Sequence, residues 1–255
     1  MALTGAGRGY SRPVTADPHP FSDARFRAFW TGRLLTFFAQ SGTVMALGWQ
    51  VYDLARATMG IREASLQLGL IGLAQFLPLL ACTLISGWLA DRVDRRRVAI
   101  GAVLLQLLCT LGITVMVLAG VRALGAYFAI AAGLGVVRAF YMPAMQAILP
   151  NLLPRTVLPR AIAAGAIAGR AGSILGPALS GIAYAFAPAA PFVLSTVLLC
   201  ASAVCLAALP PIDHHLGARD TRGQGVLADL AAGFRYIRGR RLVFGAVTLD
   251  LVAVL

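Results

Sequence analysis

The sequence predicts an all-α membrane protein: a bundle of six transmembrane helices followed by the start of a seventh. Three observations carry that prediction. Of the 255 residues, 59% are hydrophobic and 13% charged, with a mean hydropathy of +0.79. A soluble domain carries about 25% charged residues. The apolar residues come in long runs, and a run of about 20 crosses a bilayer as helix. The arginines gather on one side of those runs, as they do in cytoplasmic loops of membrane proteins.

The elements follow in order. Residues 1–25 are rich in Gly, Pro, Arg and Asp, show no apolar core before Phe26 and carry no signal-peptide pattern. They read as a disordered cytoplasmic tail. Residues 26–209 hold six apolar segments, at roughly 28–54, 66–90, 98–119, 123–149, 161–187 and 191–209. Each is long enough, or nearly so, to span the hydrocarbon core as a helix. Residues 210–241 contain Pro-Pro, His-His, several Gly and a set of Arg. They read as a basic cytoplasmic linker. Within it Leu227, Leu230, Phe234 and Ile237 recur at helical spacing, as in an amphipathic helix lying on the inner leaflet. Residues 242–255 begin a seventh apolar run, about 21 Å long as helix and too short to cross. The chain is therefore expected to be a fragment whose C-terminal half is missing.

Loop charge orients the bundle. With the N-terminus in the cytoplasm, Arg8, Arg12, Arg25, Arg27, Arg92, Arg95, Arg96, Arg97, Arg155 and Arg160 lie inside. So do Arg219, Arg222, Arg235, Arg238, Arg240 and Arg241. Only Arg56, Arg62 and Arg122 fall outside. This bias decides the topology. The net charge of +12 and the pI near 10.9 are explained the same way, and nucleic acid is not expected as a partner. Cys82, Cys109, Cys200 and Cys205 lie within apolar runs without C-x-x-C spacing, so they read as small buried hydrophobes. No P-loop, G-x-S-x-G or H-E-x-x-H motif is present. His214 and His215 adjoin in a loop without further ligands, so no metal and no cofactor is expected, and no enzyme activity.

The most specific stretch is Gly87-Trp88-Leu89-Ala90-Asp91-Arg92-Val93-Asp94-Arg95-Arg96-Arg97, a basic turn between two apolar runs. Gly87 permits close backbone approach where the second segment ends. The triplet Arg95, Arg96, Arg97 suits the headgroup zone and its anionic lipid. The string resembles the loop between the second and third helices of the major facilitator superfamily. The resemblance implies that Asp91, Arg92 and Arg96 help latch the two halves of a transporter on the cytoplasmic side. Asp94 stands where that superfamily usually has Gly, so the backbone is expected to turn differently.

The fifth segment carries Gly165, Gly169, Gly172, Gly176 and Ser180 at intervals of three or four. A stripe of small residues lets another helix approach closely in lipid. Pro177 inside it removes a backbone bond and can kink the helix. Gly176, Pro177 and Gly181 resemble the G-P-x-x-G-G motif of facilitator antiporters, with Ser180 replacing a Gly; Gly172 belongs to the same stripe. In that family the motif marks exporters more than importers.

Charges inside the apolar segments are costly and usually functional. Arg138 lies about 16 Å from the cytoplasmic end of its segment, Arg170 about 15 Å in and Asp250 about 12 Å in. They are expected to share a polar centre, either as a structural ion pair or as groups that handle substrate or protons. Two arginines against one acid would favour an anionic substrate. Asp53 lies near the outer end of the first segment. It either carries protons or is an exposed interfacial acid, and its shallow depth favours the second. Gln40, Gln75, Gln106 and Gln146 add polar groups that line a pathway or bond helix to helix. Trp30, Trp49 and Trp88 lie near segment ends, as in an aromatic belt.

The resemblance also takes in Phe29-Trp30, Trp49-x-Val51-Tyr52-Asp53-Leu54, Pro143-Ala144 and Leu149-Pro150-Asn151-Leu152. Together these are similar to the bacterial transmembrane-secretion-effector branch, which has enterobactin-exporter-like and macrolide-efflux-like members. The resemblance implies a multi-pass protein of the bacterial inner membrane that exports a siderophore or drug-like small molecule. It implies proton coupling and alternating access between two six-helix bundles. The competing expectation is a non-transporting six-helix scaffold, or the membrane domain of another transporter class. The short connections argue against the membrane domain of an ATP-driven pump.

Overall fold

The computed structural model describes residues 19–92 and 94–209, with Leu84 and residues 87–92 placed as backbone alone. After a short 3-10 turn at Pro20–Ser22 come six helices: α1 Ala24–Arg56, α2 Ile61–Arg92, α3 Arg95–Leu118, α4 Leu124–Leu152, α5 Leu158–Phe186 and α6 Ala190–Ala207. There are no strands among the described residues. The expected all-α bundle is therefore the observed one.

Local chemistry sets the helix ends. The Asp23 carboxylate accepts from the Arg25 amide at 2.7 Å and caps α1. Arg27 donates to the carbonyls of Phe21 and Ser22, and the Phe21 ring meets Phe26 and Trp30 edge-on. Order therefore begins ahead of Phe26: residues 20–25 cap and seat α1 rather than belonging to a tail. The cap is a single Asp within a Pro/Arg-rich stretch, which composition alone averages away. The Gly60 amide donates to Glu63 at 3.2 Å, starting α2 several residues before its apolar run. Asp94 accepts from the Arg96 amide at 2.9 Å and caps α3. That is what the departure from Gly does here: a side chain closes the turn. Between α3 and α4 the chain reverses through Gly120, whose φ of 66° suits a residue without Cβ.

Five of these helices, α2 to α6, are long and apolar enough to cross a membrane. Six spans were expected. α1 falls short in apolarity, not in length, because Gln40, Ser41, Thr43 and Gln50 dilute it. Its position explains that composition. α1 is the central helix, packed along α5 and α6 and touching α2, α3 and α4. A helix that faces protein on most sides can carry polar residues that a lipid-facing helix cannot. Thr36 and Ser202 meet at 2.7 Å, and Ser202 also donates to the Gly32 carbonyl at 2.8 Å, joining α1 to α6.

α4 packs along α2 and α3, and α3 closes onto α6. Two apolar clusters fill the bundle. One gathers Phe26, Phe29, Tyr141, Ile148 and Leu206 near the N-terminal half of α1. The other gathers Leu47, Val51, Ile113, Tyr127 and Phe192 near its C-terminal half. Large apolar side chains are also exposed along outer faces, such as Leu73, Phe76 and Leu80 on α2 and Ile167 and Ile174 on α5. A surface of that kind belongs against lipid or another apolar helix. Residues 1–18, the 210–241 linker and the 242–255 segment lie outside the described residues.

Candidate functional site

The site is built on the seam between α1 and α5. Their small residues interlock. A Cβ added at Gly176 would lie 2.8 Å from the Phe38 carbonyl oxygen, and one at Gly172 would lie 3.0 Å from the Phe37 carbonyl carbon. Gly42 answers from α1, opposite Ser180 and the Gly176 carbonyl. This backbone approach allows the Ser41 hydroxyl to donate to the Gly172 carbonyl at 2.7 Å. Trp30 donates from its indole to the Ala164 carbonyl at 2.8 Å near one end. At the other end the Tyr184 hydroxyl bridges Asp53, at 2.8 Å, and Gln50, at 3.2 Å. The stripe read in the sequence is thus the α1–α5 contact, with Gly172 and Gly176 at its centre. Gly181 is not part of it: a Cβ there would meet nothing within 4 Å.

Arg33 lies on this seam, about 14 Å along α1 from its first residue. Its side chain is half-buried, and its Nε is fully enclosed with no hydrogen-bond partner. The guanidinium sits 5.5 Å from the Phe37 ring centre. Such a contact contributes about 0.5–2 kcal/mol, less than the several kcal/mol needed to desolvate the charge. From α4, Tyr141 reaches the same place. It is wholly buried, its ring stands edge-on to Phe37 at 6.4 Å, and its hydroxyl has no hydrogen-bond partner. Arg33 and Thr36 are its polar neighbours. From α5, Gly165 leaves space beside the guanidinium: a Cβ there would lie 3.6 Å from Nη1.

Arg33 is not among the intramembrane charges that the sequence singles out, which are Arg138, Arg170 and Asp250. The signal was present, since Arg33 falls inside the first apolar segment. It lies six residues after Arg27, so position alone does not separate it from the basic residues that flank the segment. Arg138 and Arg170 occupy exposed positions of α4 and α5. Asp250, the acid expected to answer them, lies outside the described residues. Asp53 is exposed near the end of α1 and accepts a hydrogen bond from the Tyr184 hydroxyl. Gln106 is buried with neither amide atom bonded, Gln75 bonds back to its own helix, and Gln146 is exposed.

The basic loop divides its labour. Arg95 donates to the Ala147 carbonyl of α4 at 3.2 Å. Arg96 donates to the Leu206 carbonyl at 3.4 Å and also to that of Ala207. It thereby caps the C-terminus of α6, where carbonyls lack helical partners and the dipole is negative. The position assigned a latch role by resemblance is thus already engaged within this bundle. Arg97 is exposed, with a loose 3.9 Å contact to Asp94. The side chains of Asp91 and Arg92, and the surroundings of Gly87, are not among those described.

An all-helical bundle with five membrane-length apolar helices and arginines at mid-helix defines a multi-pass membrane protein. The Major Facilitator Superfamily profile matches residues 29–255, so the chain belongs to that superfamily of transporters. It is also similar to the multidrug efflux pump Tap of Mycolicibacterium fortuitum, with 30% identity over 233 residues. That match covers 86% of this chain and 54% of the other protein. The chain thus spans about half the length of the curated relative it matches.

Proposed function

We propose that this chain forms one bundle of a bacterial inner-membrane exporter that moves a small molecule out of the cytoplasm in exchange for protons. The similarity to a multidrug efflux pump is the observation that carries this reading. The small-residue seam centred on Gly172 and Gly176, with Pro177 next along α5, supports it. A tightly packed pair of helices moves as a unit, which is what alternating access by rigid-body rocking requires. The exposed apolar faces of α2 and α5 are where a second bundle would pack. The N-terminus and the 92–97 loop lie in the cytoplasm by their arginine excess. Arg138 and Arg170, exposed at mid-helix, belong to the path of substrate or protons, with Asp250 as the acid that answers them.

Accumulation of cationic, neutral and anionic fluorescent probes in everted membrane vesicles containing the full-length protein tests the proposal. Vesicles energised by respiration should take up at least one of them, and a protonophore should abolish that uptake. Uptake equal to that of vesicles lacking the protein, across cationic, neutral and anionic probes, would end the export reading. Uptake that survives the protonophore would end proton coupling alone.

A further inference from the structure

We infer that Arg33 and Tyr141 form a receptor for the acidic group of a small anionic molecule: a carboxylate, or the equivalent phosphate or sulfonate. The inference rests on the transport reading above and names a substrate class for it. Three observations meet at one place. The first is an uncompensated cation. Every Asp and Glu in residues 19–209 lies at a helix end: Asp23, Asp53, Glu63, Asp91 and Asp94. Among the described residues the ion pair formed is that of Arg97 with Asp94, far from Arg33 in the chain. A guanidinium inside a membrane bundle requires a counter-charge or an acceptor.

The second observation is donor chemistry without an acceptor. The Arg33 Nε and the Tyr141 hydroxyl are both enclosed and unpartnered. Arginine offers only donors, and a tyrosine hydroxyl beside a cation can offer its hydrogen to whatever the cation binds. The complementary ligand is an acceptor carrying negative charge, and a planar carboxylate fits the guanidinium fork. The third is shape. Phe37 and Tyr141 set ring faces and edges around the cation, and Gly165 withholds a side chain beside Nη1. Thr36, which bonds Gly32 and Ser202, is a neutral polar neighbour of Tyr141 and brings no charge to answer Arg33.

The test compares 2-naphthoate with its neutral isostere 2-naphthamide by equilibrium dialysis on the purified full-length protein. The wild type should bind the carboxylate about tenfold more tightly than the amide, the size of one charge-assisted hydrogen bond. Arg33→Gln should remove that preference. Tyr141→Phe keeps the ring and should reduce the preference by about threefold, and it serves if Arg33→Gln does not fold. Equal affinity for the two compounds in the wild type overturns the inference, as does a preference unchanged in both variants. Uptake of the cationic, neutral and anionic probes by vesicles containing the wild type separates the two ideas. Active uptake with equal affinities sinks the anion receptor alone. A naphthoate preference without transport of any probe sinks the transport reading, on which the substrate assignment rests.

Discussion

At the scale of single residues, arginines of one composition take three different roles. Arg33 is held in the bundle beside Phe37 and Tyr141, Arg95 bonds a carbonyl of α4 and Arg96 those at the end of α6, and Arg97 is exposed. Burial and acceptor geometry separate them. Replacing Arg96 with Ala strips two carbonyls of α6 of a charged donor and should cost about 1–2 kcal/mol. Replacing Arg97 should change stability by less than about 0.5 kcal/mol. Thermal unfolding of the full-length protein in detergent checks both, and a larger loss at Arg97 would contradict the division of labour. Tyr184→Phe removes the hydroxyl that bridges Asp53 and Gln50. It should cost about 0.6 kcal/mol, the average for hydrogen bonds between membrane helices, read as a small drop in the same melting curve.

At the scale of elements, the α1–α5 seam shows what the small-residue stripe is for. Its glycines do not loosen α5; they bring its backbone onto that of α1. Gly176→Leu would drive a side chain into the Phe38 carbonyl and should destabilise by about 1–3 kcal/mol. Gly181→Ala, facing open space, should be neutral or slightly stabilising, since Ala favours helix over Gly. Equal effects of the two substitutions on the unfolding midpoint would mean that the stripe is not the contact described. The stripe was legible in the sequence, but its partner was not. The spacing of Gly165 to Ser180 marks a face of α5, whereas Ser41 and Gly42 carry no periodic signal of their own in α1. The helix caps were similarly half-visible. Asp94 departs from the usual Gly, and its capping bond to the Arg96 amide gives the departure a reason.

At the scale of the whole molecule, the arginine distribution predicts orientation. Alkaline phosphatase fused after Arg122 should be active, because that turn is read as periplasmic. The same enzyme fused after Arg97 should be inactive. The reverse pattern would invert every assignment of inside and outside. A bundle of this kind suits such a test because its connections are short, so each junction reports on one turn.

The sequence by itself determined that the chain is a multi-helix membrane protein of the facilitator superfamily, and where its six helices lie. Hydrophobic length and loop charge are local or additive quantities, and they survive without knowledge of which helix touches which. The tertiary structure alone decided which of the arginines within apolar runs is partly buried. Arg33, Arg138 and Arg170 look alike as charges within apolar runs. Only the crossing of α1 with α5, and the reach of Tyr141 from α4, desolvates Arg33 and leaves Arg138 and Arg170 at the surface. Desolvation depends on atoms brought together from distant parts of the chain, so no window of sequence contains it.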